Sequence, residues 1–512
     1  MATTLRIQHW DPEDPLSWEE GKHHAARNLA VSIPCLACSF AIWLFWSIIT
    51  VQMKNLGFPF TDAQLFTLSA IAGLSGATLR IVNSFMITIA GGRIVISVST
   101  LLLILPSLGA GIALQHTTTP YEIFVVLAAL SGIGGGNFSS SMANITHFFP
   151  RRRQGLALGL NAGLGNLGVS LMQVLLPLAV AVPLFGALGG DGIMATSGPR
   201  AGQWIWIQNN GLAWVPLLAL LGLIAWWGLD TLPMYDVGHP VVAILKVTGL
   251  GIIGFVGTLV GSALLIQLKI NMWIVLPTTI LVTLALMKLI RGEMKNRIDR
   301  VFAIFKNKHT WIMTYLYVMT FGSFIGYSAA LPLLIRIVFG QLPDGTPNPR
   351  APNPFAYAWL GPLVGSIARP LGGWLSDKWG GAKVTFWDTV IMIGAAFGTA
   401  YCIKAAGASA SPEQFFLPFL TLFLVLFVTT GIGNGSTFRM VPIIFKMDQA
   451  GPVLGWTAAV AAYGSFIIPK VFGSQIEAKT PEYAFYGFAV YYATCLLACW
   501  WWYGRRGAEI KC

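Results

Sequence analysis

Apolar stretches follow one another along almost the whole chain, parted by short polar turns. They fall at residues 30–53, 64–89, 93–116, 120–149, 153–182, 205–228, 240–265, 270–290, 310–338, 355–376, 383–405, 413–440, 449–474 and 482–504. Each holds about 20 residues or more, enough for a helix to cross a hydrocarbon layer of about 30 Å. The pattern predicts an all-α polytopic membrane protein of about fourteen spans. Its segments are a tail at 1–29, a six-helix half at 30–234, an inserted helix pair with a basic linker at 235–309, a second six-helix half at 310–504 and a tail at 505–512. The polar opening, with the run HWDPEDPLSWEE, reads as a cytoplasmic segment rather than a cleavable signal.

Composition agrees. Hydrophobic residues make up 55% of the 512 and charged residues only 10%, against about 25% charged in a soluble domain. The formal charge of +12 could point to nucleic acid, but the positions of the basic residues exclude that. Arg151, Arg152 and Arg153 follow the fourth span; Lys288, Arg291, Lys295, Arg297, Arg300, Lys306 and Lys308 crowd the linker. Lys378, Lys383, Arg505, Arg506 and Lys511 fall on the same side, so positive-inside topology puts both termini in the cytoplasm. Two close cysteine pairs, Cys35/Cys38 and Cys495/Cys499, sit inside apolar spans with no histidine beside them. They read as small buried residues, and neither a metal nor a cofactor is expected.

The chain repeats itself. GATLR ends at Arg80 and GSIAR at Arg369, and each arginine is followed eleven residues later by a Gly-Gly pair, Gly91-Gly92 and Gly380-Gly381. A second echo, G-x-G-N-x-S, joins 134–139 to 431–436. Transporters of this construction place their substrate between the halves, near the membrane midplane.

Arg80 and Arg369 occupy matching depths in their spans. An arginine near the centre of a membrane helix costs about 2.5–3.5 kcal/mol on insertion scales. No acidic residue falls near the middle of a predicted span; Glu122 and Asp388 lie toward membrane faces and Asp377 in a loop. The counter-charge must then come from solution, and two guanidinium forks suit an oxyanion. At about 8 Å apart and an effective dielectric near 20, the pair repel by roughly 2 kcal/mol, which a bound anion relieves.

GLGNLG at 163–168 matches a dinucleotide fingerprint but lacks the surrounding strands, so that reading fails. Gly159, Gly163, Asn166, Ser170 and Gln173 share one helix face. The glycines are expected to pack against a neighbouring helix, and Asn166 to turn its amide toward a cavity. Tyr317, Phe321, Phe324 and Ser328 line another face, a pattern that by itself signifies packing.

GGWLSDKWGGAKV (372–384) resembles the loop signature of the major facilitator superfamily. GGGNFSSSMANITHFFPRRRQGLALGLNAGLGNLGVSLMQ (134–173) resembles the nitrate signature region of the NarK-type nitrate/nitrite porters within it. GLSGATLRIVNSFM, YVMTFGSFIGYSA, GPLVGSIARPLGGWLSDKWGG, GNGSTFRM and AAYGSFIIPKVFGS follow that family's pattern in order. The resemblance covers nearly the whole chain, apart from the tail and 235–305, and fourteen spans depart from the usual twelve. It implies a major facilitator fold in which Arg80 and Arg369 clamp the anion. It also implies that Phe138 and Phe321 pack on the faces of planar nitrate, with Asn166 and Tyr317 adding hydrogen bonds.

The function expected is nitrate/nitrite exchange by alternating access in the cell (inner) membrane, by a monomer whose partners are nitrate, nitrite and the bilayer. Nitrate/proton symport ranks second, because no midspan carboxylate offers a proton carrier. Organic phosphate antiport ranks lower. A sensor lacks a signalling domain, and an enzyme would need a nucleophile, metal ligands or haem ligands in the spans.

Overall fold

The computed structural model describes residues 9–235, 237–290, 295 and 302–512; Arg291, Arg297 and Arg300 of the expected basic linker lie outside them. The first half comprises α1 (Pro15–Leu44), α2 (Trp46–Asn55), α3 (Asp62–Leu102), α4 (Ile104–Ala113), α5 (Tyr121–Phe148), α6 (Arg151–Ala179) and α7 (Trp214–Gly228). Then come α8 (Pro240–Ile266) and α9 (Met272–Lys288). The remainder holds α10 (Lys308–Tyr317), α11 (Ser323–Val338), α12 (Leu360–Trp379), α13 (Gly381–Ala408), α14 (Phe416–Ile444), α15 (Met447–Ala461), α16 (Gly464–Glu477) and α17 (Glu482–Cys499).

Local signals start these helices where the pattern changes. Asp14 accepts from the Ser17 amide and Pro15 opens α1. Thr61 and Gln64 cap α3 reciprocally. Eleven helices among the described residues are long and apolar enough to cross a membrane. One of them, Asp62–Ala113, runs for 52 residues and joins two of the expected spans. Its break is Gly91, at φ +69°, where a side chain would be strained. Gly380, at φ +87°, makes the matching turn between α12 and α13. The α9 helix is shorter, at 17 residues, and α12 falls outside the eleven.

Within the first half α3 packs on α5 and α1 on α6; within the second, α14 packs on α12 and α13, and α13 on α17. Between them, α3 meets α16, α6 meets α12 and α2 meets α11. The helices α8 and α9 lie outside this bundle against α3. Gly254 of α8 faces Leu79 and Val82, on either side of Arg80 in sequence.

One face of the bundle is sealed. The loop after α6 carries a small antiparallel pair, β1 (Ile193–Met194) and β2 (Trp204–Ile205). Its Ser197 hydroxyl and Asn55 accept from Arg336 of α11 at 3.1 and 2.8 Å. Deeper in, the Ser170 hydroxyl donates to the Trp359 carbonyl at 2.8 Å and the Gln173 amide to the Ser328 carbonyl at 3.0 Å. Farther along that same face of α6, a Cβ on Gly163 or Gly159 would meet nothing within 4 Å. The expectation that these two glycines pack is therefore corrected: they border open space, while Gly165 and Gly168 pack on Leu36 and Ala37 of α1.

Candidate anion site

Arg80 is wholly buried on α3. Its Nε donates to the Gly135 carbonyl at 3.0 Å, and its Nη1 crosses to the Ala458 carbonyl of α15 at 3.2 Å. Nη2 has no partner. Four rings surround the guanidinium: Phe138 at 4.6 Å, Trp43 at 5.2 Å, Phe321 at 5.3 Å and Phe40 at 5.9 Å. Aromatic faces attract a cation, but they do not neutralise it.

Arg369 on α12 is also buried, its Nη1 without a partner and its Cζ 5.4 Å from the Phe438 ring. Tyr317 lies within hydrogen-bonding reach of Arg369 and donates to Asn434 Oδ1 at 2.6 Å. The two arginines are near enough that each feels the other's charge. Neither forms an ion pair among the described residues. Two buried cations, linked through the Phe321–Tyr317 stack, thus each keep an N–H group free, with no matching carboxylate among the described residues. That arrangement can hold a small anion.

All six residues singled out from the sequence are buried, and five of them adjoin one another. Phe138 and Phe321 stack with centroids 6.2 Å apart and planes 24° from parallel. Tyr317 stacks on Phe321 at 5.7 Å and 11°. Asn166 is buried with its Oδ1 unpartnered; nothing ties it directly to the arginines. A planar guest between two rings takes about 7 Å, twice a carbon contact distance. At 6.2 Å the rings leave less than that, so a face-to-face sandwich requires them to part.

Residues 318–322, which follow Tyr317 and include Phe321, form a π-turn, which the regular spacing of the aromatic face did not foretell. Such turns are rare and cluster at functional positions. Trp43, Phe40, Phe438 and Asn434 also belong to the site. Asn434 had a signal, since it fills the G-x-G-N-x-S repeat; the three rings look like ordinary apolar residues.

Asp388, in the first turns of α13, is 5% exposed, and its Oδ2 has no hydrogen-bond partner among the described residues. The second half therefore contains a buried carboxyl, though one paired with neither arginine.

The fold and the paired cations define a two-half membrane carrier, and the comparisons agree. The Major Facilitator Superfamily profile matches residues 35–469, and the chain belongs to that superfamily. A probable nitrate/nitrite antiporter, NarK2 of Thermus thermophilus, is 40% identical over 507 residues, covering 99% of this chain and 98% of that relative. The nitrate/nitrite transporter NarU of Escherichia coli K12 is 35% identical over 524 residues, covering 98% and 96%. Within the superfamily the chain belongs to the NarK and NarU group. The xylose transporter XylE of E. coli, in a partially occluded inward-open structure, shares the fold at TM-score 0.54 and 10% identity, over 93% of this chain and 99% of that one.

Proposed function

We propose that this protein carries nitrate and nitrite across the cell membrane by alternating access, exchanging one for the other at the site between Arg80 and Arg369. The carrying observation is that both guanidinium groups are buried, within range of each other's charge and, among the described residues, free of any acidic partner. A monovalent oxyanion supplies the missing charge and accepts the free N–H groups. Phe138 and Phe321 part to admit its flat faces, and Tyr317 and Asn166 present polar atoms at its edge. Full-length likeness to nitrate/nitrite transporters supports this choice of anion. The working unit is a monomer of fourteen spans, α9 and α12 included, with both termini in the cytoplasm. On that orientation the sealed face is external, and the open stretch beside Gly159 and Gly163 faces the cytoplasm.

The test is nitrate uptake into liposomes loaded with nitrite or left empty, with and without a pH gradient. Exchange requires uptake in loaded vesicles and little in empty ones. The second reading, nitrate/proton symport, draws on one observation, the buried carboxyl of Asp388. Uptake driven by pH alone in empty vesicles would put it first.

A further inference from the structure

We propose that Asp388 is a proton-binding site whose occupancy governs movement of the π-turn at residues 318–322, a role that rests on the anion site proposed above. Asp388 lies on α13, behind this turn rather than in front of it. A Cβ built on Gly433 of α14 would fall 2.8 Å from Asp388 Oδ2 and 2.6 Å from Thr320 Cγ2. The carboxyl and the π-turn therefore border the same gap, which only a glycine at 433 leaves open. The next residue of α13, Thr389, donates to the Met319 sulfur in the same turn at 3.6 Å. The next residue of α14, Asn434, receives the Tyr317 hydroxyl. Asp388 thus backs the segment that presents Tyr317 and Phe321 to the anion.

The titratable groups on the neighbouring elements offer it no counter-charge. On α17 and the turn that follows they are Glu482, Tyr483, Tyr486, Tyr491, Tyr492, Cys495, Cys499 and Tyr503. On the α10–α11 segment they are Lys308, His309, Tyr315, Tyr317, Tyr327 and Arg336; on α13 itself, Lys383, Tyr401, Cys402 and Lys404. Glu413, just ahead of α14, pairs weakly with Arg350 across the far end of α13, and Arg439 of α14 is bonded to Asp377. Arg369 lies on another side of α14, where its carbonyl approaches Gly435. No hydrogen bond or ion pair ties any of these to Asp388 among the described residues. A carboxyl so placed takes a proton rather than keep an uncompensated charge.

The internal repeat isolates the feature. Asp388 follows Gly380 by eight residues, as Ser99 follows Gly91. Ser99 lines a small cavity with Ser39, Thr100 and Asn137, and Asn137 is the repeat mate of Asn434. The same recess behind the anion site is hydroxyl-lined in the first half and holds an acid in the second. A π-turn is a marginal conformation, and charging Asp388 would demand water or a donor beneath it. Proton release then accompanies displacement of the turn.

The experiment compares wild type with Asp388→Asn in nitrite-loaded liposomes. Nitrate exchange is measured at equal internal and external pH from about 6 to 9.5, the range in which buried carboxyls titrate. Wild-type exchange is expected to fall by up to roughly tenfold per pH unit above the titration. Asp388→Asn, and Asp388→Ser with the residue of the first half, should run at the low-pH rate throughout. A flat wild-type profile, or a variant that keeps the wild-type profile, overturns the proposal. So does misfolding of both variants, because a neutral acid tolerates a neutral replacement. If the wild type exchanges no nitrate at any pH, the anion assignment fails instead. Thermal melting without substrate then decides: the wild type must lose stability relative to Asp388→Asn as pH rises, and parallel curves sink the proton site.

Discussion

The two halves carry the same devices in different settings. Arg80 is locked by two carbonyls and four rings. Arg369 has one ring near its guanidinium and the polar pair Tyr317–Asn434 beside it. At the end of the first half Asp230, nearly inaccessible, binds Arg27, His24 and Asn28. At the end of the second, Glu509 binds Lys308 and His309 from an exposed position. The first half surrounds its arginine and its terminal acid more closely. The second carries the π-turn, a buried acid and looser polar contacts. A repeated sequence motif therefore sets position, while burial sets what each copy can do.

The arginines break the comparison most severely. Arg80→Lys and Arg369→Lys should each lower nitrate exchange by about 100-fold or more while protein remains in the membrane, because an ammonium cannot replace the fork. Transport by either variant within a few-fold of wild type would remove the clamp. The two terminal clasps come next. Arg27→Gln removes one of several partners of buried Asp230, His24 and Asn28 remaining, and should cost about 1.5–3 kcal/mol, the range for a hydrogen bond to a charged group. Lys308→Gln, at a pair about half exposed on both sides, should cost less than about 1 kcal/mol. Equal shifts in melting temperature would erase the distinction between halves.

Tyr317→Phe leaves Asn434 Oδ1 without its donor, a loss of about 1–3 kcal/mol. It should weaken nitrate affinity by roughly tenfold, whereas Ser39→Ala, which removes the Asn137 partner at 2.9 Å, should change affinity little. Transport kinetics of the two variants test this. Among glycines, Gly433→Ala forces a methyl against Thr320 and Asp388 and should destabilise by about 1–3 kcal/mol. Gly163→Ala enters open space and should be neutral or slightly stabilising in a melt.

The smallest effect concerns acid. The Lys308 hydrogen bond, with His309, holds the Glu509 carboxyl below its usual range. Its stabilisation is present above the ordinary carboxylate pKa of about 4.3 and fades as pH falls through the lowered value. Melting curves of wild type and Glu509→Gln should differ slightly at neutral pH and merge in acid.

Much of this was legible along the chain. Runs of apolar residues fixed the membrane-spanning class, since a hydrocarbon layer demands length and hydropathy and little else. The repeat located both arginines, because a buried cation without a local acid stands out in any apolar run. Phe138, Tyr317 and Phe321 came through family pattern, not periodicity, which cannot tell a site ring from a packing ring. Span boundaries were partly legible: the left-handed Gly91 breaks the helix between two of the expected spans.

Tertiary structure alone decided the rest. Trp43, Phe40 and Phe438 come beside the arginines only through the packing of their helices against α3 and α12. The π-turn is a register choice made by packing, with Gly322 set against Gly464 of another helix. Asp388 sits near the start of its helix in sequence, and only the packed structure shows that α14 and the π-turn close over it. Sequence assigns each residue a depth along its own helix. Which neighbours shield it from water, and hence whether its charge is answered, depends on how the helices come together.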